Sequence, residues 1–192
     1  DSSKIPTNWE EYFSMADQFA KTCGNTGKYW DAAVPTIGDF AVYGVDQMNK
    51  DQTKFTINSD KGVEFVQHYV DMYNEKALSA DALNNQWTGE GDAFKQGDVA
   101  SLGGSAYAVS DFKENAPKVY ENLAIVPAMV GEGGKSNVAM ETLVVNKNAK
   151  HKDMAIKFAR FVTNVDNQTE FCTKSHTFPS AKNAVDSPAF RP

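Results

Sequence analysis

Three aromatic residues, Trp30, Trp87 and Tyr107, stand outside the three-and-four spacing that marks the buried stripes of helices. Near loops and element ends an aromatic ring offers a flat face on which a ligand can stack, the alternative use being packing at the edge of a core. Tyr107 has the richest neighbourhood. It follows Gly103-Gly104-Ser105, a run joining an apolar stretch to a helical one. Free backbone amides there converge on the helix start and can meet an anion or a sugar hydroxyl, the alternative being that the glycines serve only to turn the chain. A ring suits the apolar C–H face of a sugar, and such a turn suits its polar rim. Glu141 and Met140, in a stretch of strand period, complete a candidate binding set of Tyr107, Glu141, Trp87, Trp30, Ser105, Gly104 and Met140.

Other chemistry finds less support. Gly134-Lys135-Ser136 resembles the end of a phosphate-binding loop, but Met129 stands where that motif needs glycine, and the run leads into strand period rather than a helix. His68, His151 and His176 lie far apart, and Cys172 with His176 supplies two ligands where zinc takes three or four. No metal and no cofactor is expected. No serine stands in a nucleophile elbow, and Glu10-Glu11 and Asp111 with Glu114 read as solvated helix faces, so catalysis has no warrant in the sequence. Cys23 and Cys172 are expected as two buried free thiols, with a disulfide between them the alternative.

These residues need a scaffold, and the chain is long enough to build one: 192 residues, 41% hydrophobic and 23% charged, an ordinary globular composition. A net charge of -6 argues against nucleic acid or an anionic membrane surface as partner. No run approaches the roughly 20 apolar residues that span a bilayer. Thr7-Asn8-Trp9-Glu10 predicts a capping box opening a helix whose stripe runs Trp9, Tyr12, Phe13, Ala16, Phe19, Ala20 and Cys23, ending at Gly24-Asn25. A second helix follows Asn58-Ser59, with Val63, Val66, Tyr69, Val70 and Tyr73 expected on its buried face and Phe65 and Met72 to the flank. A short helix capped by Thr88 and closed by Gly97 precedes an expected strand, Val99 to Leu102. Gly103-Gly104-Ser105 is then read as a tight turn into a helix over Ala106 to Asn115. Further strands are expected at Leu123 to Val126 and, after a turn at Gly131-Glu132-Gly133-Gly134, at Val138 to Val145. Helices around Phe158 and Phe171 close the chain, and the interleaving argues an α/β layered domain.

In their order these segments resemble the carbohydrate-binding family of extracellular solute-binding proteins of bacterial ABC importers, the maltose- and oligosaccharide-binding receptors. Ile5-Pro6-Thr7-Asn8-Trp9-Glu10-Glu11-Tyr12 is similar to the family's helix entry, and Phe94-Lys95-Gln96-Gly97-Asp98-Val99-Ala100 to its Phe-x-x-Gly segment. The most specific match is Gly104-Ser105-Ala106-Tyr107-Ala108-Val109-Ser110-Asp111, beside the family's Asn-Gly-Pro-Trp-Ala-x-Ser-Asp. Leu123 to Pro127, Ala149 to Val162 and Phe178-Pro179 continue the series. Tyr107 stands where Trp is common, and Ala139-Met140-Glu141 replaces a Gly-Gly strand opening, which implies a differently furnished pocket.

The resemblance implies a type II periplasmic-binding-protein-like α/β fold, of which residues 1–192 would form the second, C-terminal lobe, with about 144–184 returning to a first lobe. It implies an excised or processed piece of a monomeric, extracytoplasmic receptor or surface lipoprotein that binds a mono- or oligosaccharide and delivers it to an ABC permease. Two other readings stay open at this point. A glycan-active α/β enzyme would need two carboxylates facing one cleft, and a protein-interaction module would show no pocket lined by Tyr107 and Trp87.

Overall fold

The computed structural model describes residues 5–84, 89–132 and 134–190. The chain divides into two compact units. The first comprises Asp1–Gly103 and Asn115–Val138, the second Gly104–Glu114 and Ala139–Pro192.

In the first unit, α1 (Trp9–Cys23), α2 (Ile37–Tyr43) and α3 (Asp60–Asn74) surround an aromatic core. Phe65 is fully buried at its centre. Its ring lies 4.4 Å from Tyr43, 5.1 Å from Phe40, 5.2 Å from Trp9 and 5.5 Å from Tyr69, the first nearly parallel and the rest edge-on. Edge-on contacts set the positive rim of one ring against the negative face of another, which adds to the area each ring removes from water.

The start of α1 lies one residue later than the expected capping box. Asn8 is the cap and accepts from the Glu11 amide at 2.9 Å, while Thr7 donates its amide and hydroxyl to the Glu11 carboxylate at 2.7 and 2.9 Å. The sequence offers both Thr7–Glu10 and Asn8–Glu11 at capping distance, and the pair with the better N-cap residue forms.

On α3 the buried face differs from the expected one. Gly62, Phe65, Tyr69 and Met72 are buried, and Val63, Val66, Val70 and Tyr73 are exposed. Both sets have helical spacing, so apolar periodicity could not choose between them. The core takes the set carrying Phe65 and Met72, which fit the space left by Trp9, Phe40 and Tyr43. Val63 and Val66 instead line an open groove of about 470 Å³ with Phe40, Phe55 and Ile57.

Residues 29–31 run between two neighbours, parallel to each. On one side Tyr29 pairs with Val99, with the Ala100 amide donating to Tyr29 O (3.0 Å) and the Ser101 amide to Trp30 O (2.8 Å). On the other, Asp31 pairs with Leu78, with the Trp30 amide on Ala77 O (2.7 Å) and the Ser79 amide on Asp31 O (3.0 Å). These are isolated bridges, and among the described residues no longer strand forms. The expected strand at Val99–Leu102 is thus one bridge, while Leu123–Val126 and Val138–Val145 form no strand. Ile125, Val138, Leu143 and Val144 are all exposed, and among the described residues no neighbour completes the pairing of these segments.

After a 3-10 turn at Ala80–Leu83 comes α4 (Gly89–Lys95), closed by Gly97 at φ 71°. Its expected cap, Thr88, lies outside the described residues, as does Gly133. The short α6 (Pro117–Tyr120) starts with proline at its first position. Beyond it the glycine turn is docked on the core. A methyl group at Gly131 would lie 1.2 Å from the Val42 carbonyl oxygen, so only glycine permits this approach. Lys61 pairs with Glu132 over the same contact, its ammonium 5.7 Å from the Tyr43 ring centre.

The second unit holds α5 (Ala106–Asn115, its last residue in the first unit), α7 (Lys152–Val162) and α8 (Val165–Ser175). Gln168 ties it together: its amide donates to Val162 O at 3.1 Å and its carbonyl accepts from the Ser180 amide at 3.3 Å. Both cysteines are free, Cys172 buried on α8 and Cys23 only half-buried at the end of α1. Among the described residues no helix is long and apolar enough to cross a membrane.

Candidate functional site

The link that carries the candidate residues leaves the first unit at Gly103. It does not form the expected tight turn: Ser101 is still held against Trp30, and the next backbone bond along the chain, from the Ala108 amide to Ser105 O (2.9 Å), already belongs to the start of α5. A methyl group added at Gly103 or at Gly104 would touch nothing within 4 Å, so neither glycine is there to relieve crowding. Tyr107 is in the first turn of α5 and is 60% exposed.

Ser105, Gly104, Met140 and Glu141 are also exposed and belong, like Tyr107, to the second unit. Trp30 belongs to the first and is buried in its core, 5.6 Å from the Tyr12 ring and 6.1 Å from Phe19, with no partner on its indole nitrogen among the described residues. No free stacking face remains on it. Trp87 lies outside the described residues.

Beside this link is a polar cluster that the sequence reading missed. Asp31 is buried and its carboxylate accepts from the Tyr12 hydroxyl and from the amides of Ala32 (2.7 Å) and Ala33 (3.0 Å). Burial pushes the Asp31 carboxyl up, and these three donors oppose the shift. Burial, followed by the charge on Asp31, pushes the Tyr12 and Tyr69 hydroxyls well above the usual phenol range. Glu90, in the first turn of α4, is half-buried and pushed up to about 7, first by burial and then by Asp31, while the Gly103 amide donates to it and pulls the other way. An acid in a helix's first turn looks like a response to the helix dipole, which is why Glu90 carried no signal in the sequence.

Two open grooves, the one along α3 and one of about 640 Å³ between α8 and residues 183–189, involve none of the candidate residues. Among the described residues no three His, Cys, Asp or Glu side chains come together to hold a metal ion.

Comparison with known proteins defines the class. The sequence profile of the bacterial extracellular solute-binding protein family matches residues 1–169, and the chain belongs to that family. A binding protein of Brucella abortus (strain 2308) is 23% identical over 184 residues, which is 92% of this chain and 44% of that protein. Among solved structures, a protein of Synechococcus sp. MITs9220 assigned as an oligosaccharide periplasmic-binding protein superposes with a TM-score of 0.85. It is 24% identical, over 98% of this chain and 51% of that one. Maltose-bound MalE3 of T. maritima gives a TM-score of 0.72 at 23% identity, over 97% of this chain and 50% of that one. The fold is therefore that of periplasmic-binding proteins, and the chain spans about half the length of these relatives.

Proposed function

We propose that this chain is the sugar-contacting part of an extracytoplasmic receptor of a bacterial ABC importer. The receptor binds a mono- or oligosaccharide without transforming it and passes it to a membrane permease. Membership in the solute-binding family supports the class, and the maltose held by the T. maritima neighbour supports the ligand chemistry. The observation that carries the reading is Tyr107, an exposed ring in the first turn of α5 immediately after an open glycine link. Such a ring can lie against the C–H face of a sugar while the Ser105 hydroxyl and neighbouring amides meet its hydroxyls.

We read Gly104, Met140 and Glu141 as the other contacts drawn from the second unit. We read residues 1–192 as the second lobe of the receptor and about 144–184 as the segment that packs on a first lobe. That reading gives a cover to α7, which buries none of its residues and exposes Met154, Phe158 and Phe161.

Titration of the ¹⁵N-labelled chain with maltose, carried well beyond millimolar concentration so that a weak site fills, tests the ligand reading. Amide shifts should move at residues 104–107 and 140–141 and lose their sugar dependence in Tyr107→Ala. Shifts confined to the groove along α3, or none at all, would remove it.

A further inference from the structure

The Trp30 indole nitrogen is a buried donor with no acceptor among the described residues, on a side chain that is nine-tenths buried in the first unit. The acceptors along its own segment are already engaged. Ala77 O takes both the Trp30 amide (2.7 Å) and the Asp31 amide (3.2 Å), Trp30 O takes the Ser101 amide (2.8 Å), and Asp31 O takes the Ser79 amide (3.0 Å). The Asp31 carboxylate accepts from the Tyr12 hydroxyl and from the Ala32 and Ala33 amides. Tyr12 and Phe19, with ring centres 5.6 and 6.1 Å away, pack against the indole. Trp9 Nε1 shares the same condition on a half-buried residue whose ring meets Tyr12 at 5.8 Å.

A buried N–H without an acceptor forfeits the hydrogen bond it makes to water in the unfolded chain, and native cores supply the missing partner. The chemistry around Trp30 narrows what that partner is. An indole N–H only donates, so the guest must present a lone pair, which excludes a metal ion or an ammonium group. Among the described residues the buried polar ones are Asp31 and Ser79, so an anion would share this interior with the Asp31 carboxyl and find no buried cation to balance it. Trp30 lines neither of the two open grooves. We propose that the first unit holds a structural water at Trp30 Nε1, a small neutral guest that accepts from the indole and has protons of its own to give. The site belongs to the packed core and does not rest on the receptor reading above. It commits the Trp30 nitrogen to the interior rather than to a sugar hydroxyl.

Proton NMR of the ¹⁵N-labelled chain in water tests this, with Trp30→Phe identifying the Trp30 indole signal by its loss. In the unsubstituted chain that proton should show a cross-peak to water, of the diagonal's sign in a NOESY spectrum and of the opposite sign in a ROESY spectrum. That pair of signs marks a water that stays longer than those on the surface. Oxygen-17 relaxation dispersion of the solvent, which does not see hydroxyl protons, should lose the amplitude of one long-lived water per chain in Trp30→Phe. Absence of any cross-peak to water overturns the proposal, since the donor is then dry. A ROESY peak of the diagonal's sign also overturns it, because the proton then exchanges with bulk solvent through an opening. Equal dispersion amplitudes in the two chains overturn it as well and assign the contact to the Tyr12 hydroxyl. Should Trp30→Phe fail to fold, the indole signal is identified by its contacts to Tyr12 and Phe19, and the two spectra of the unsubstituted chain decide.

Discussion

At the scale of one side chain, the sugar contact proposed for Tyr107 can be tested by truncation. Its ring is 60% exposed, so truncation removes little packing within the chain. In a receptor carrying both lobes, Tyr107→Ala is expected to weaken sugar binding by about 1–3 kcal/mol, the order of one desolvated aromatic contact, with the melting temperature almost unchanged. Calorimetry beside a thermal melt checks this, and Tyr107→Trp should retain binding. An alanine variant that unfolds while its folded fraction binds normally would place the ring in the core. Glu90 gives a second expectation, on stability. Its carboxyl titrates near 7 in the folded chain against an ordinary 4.5, so the folded state binds the extra proton. The resulting stability is present in full below about 4.5 and is lost as pH rises toward about 7. Solvent screening of this half-exposed group holds its share to about 1 kcal/mol. Buried Asp31, also raised, adds to the same slope. Urea midpoints measured across this range should fall less steeply with pH in Glu90→Gln, and identical slopes would refute the assignment. The exposure of Tyr107 at a helix start was legible in its local sequence, whereas the raised Glu90 carboxyl was not, since it comes from burial and from Asp31, distant along the chain.

Among the elements, helix positions were legible, as was the core-facing stripe of α1, but the buried face of α3 was not. Capping residues and closing glycines act within a few positions, so α1, α3, α5 and the end of α4 fall where the sequence puts them to within a residue or two. Which face of α3 is buried depends on Trp9, Phe40 and Tyr43, which come from two other helices and whose packing no local pattern encodes. Phe65→Ala should therefore cost about 3–5 kcal/mol, and Val66→Ala on the exposed side under about 1 kcal/mol, by denaturant unfolding. The segments of strand period illustrate the same limit, since alternation describes a residue's readiness to pair but not whether a partner is present. At the glycine turn, Gly131→Ala must push the Val42 carbonyl aside, which backbone cannot do cheaply. A fall of several degrees in melting temperature is expected there, of the order that about 1–2 kcal/mol produces in a chain of this size. Lys61→Met, which removes only a partly exposed ion pair, should shift it far less. Equal shifts would show the ion pair, rather than the close backbone approach, to be what docks the turn.

At the scale of the whole molecule, apolar surface is shared unequally. The first unit encloses the aromatic core, whereas among the described residues of the second only Phe112, Cys172 and Ala184 are buried. Met154, Phe158, Phe161, Phe171 and Phe178 remain exposed there. On the two-lobe reading the chain alone offers half a binding surface, so its affinity for maltose should be weaker than millimolar, about 4 kcal/mol or less. It should also bind a hydrophobic dye such as anilinonaphthalene sulfonate at neutral pH. Tight binding of maltose by this chain would show the site to be complete within it. The division of the chain has an optical counterpart as well. Trp9, Trp30 and Trp87 all fall within residues 1–103, and Tyr107 is the sole tyrosine of the second unit. Indole emission is therefore a private signal of the first unit, while helical ellipticity sums both. During unfolding the two traces should part company, leaving α7 and α8 dark to the fluorimeter while their melting registers in the dichroism alone.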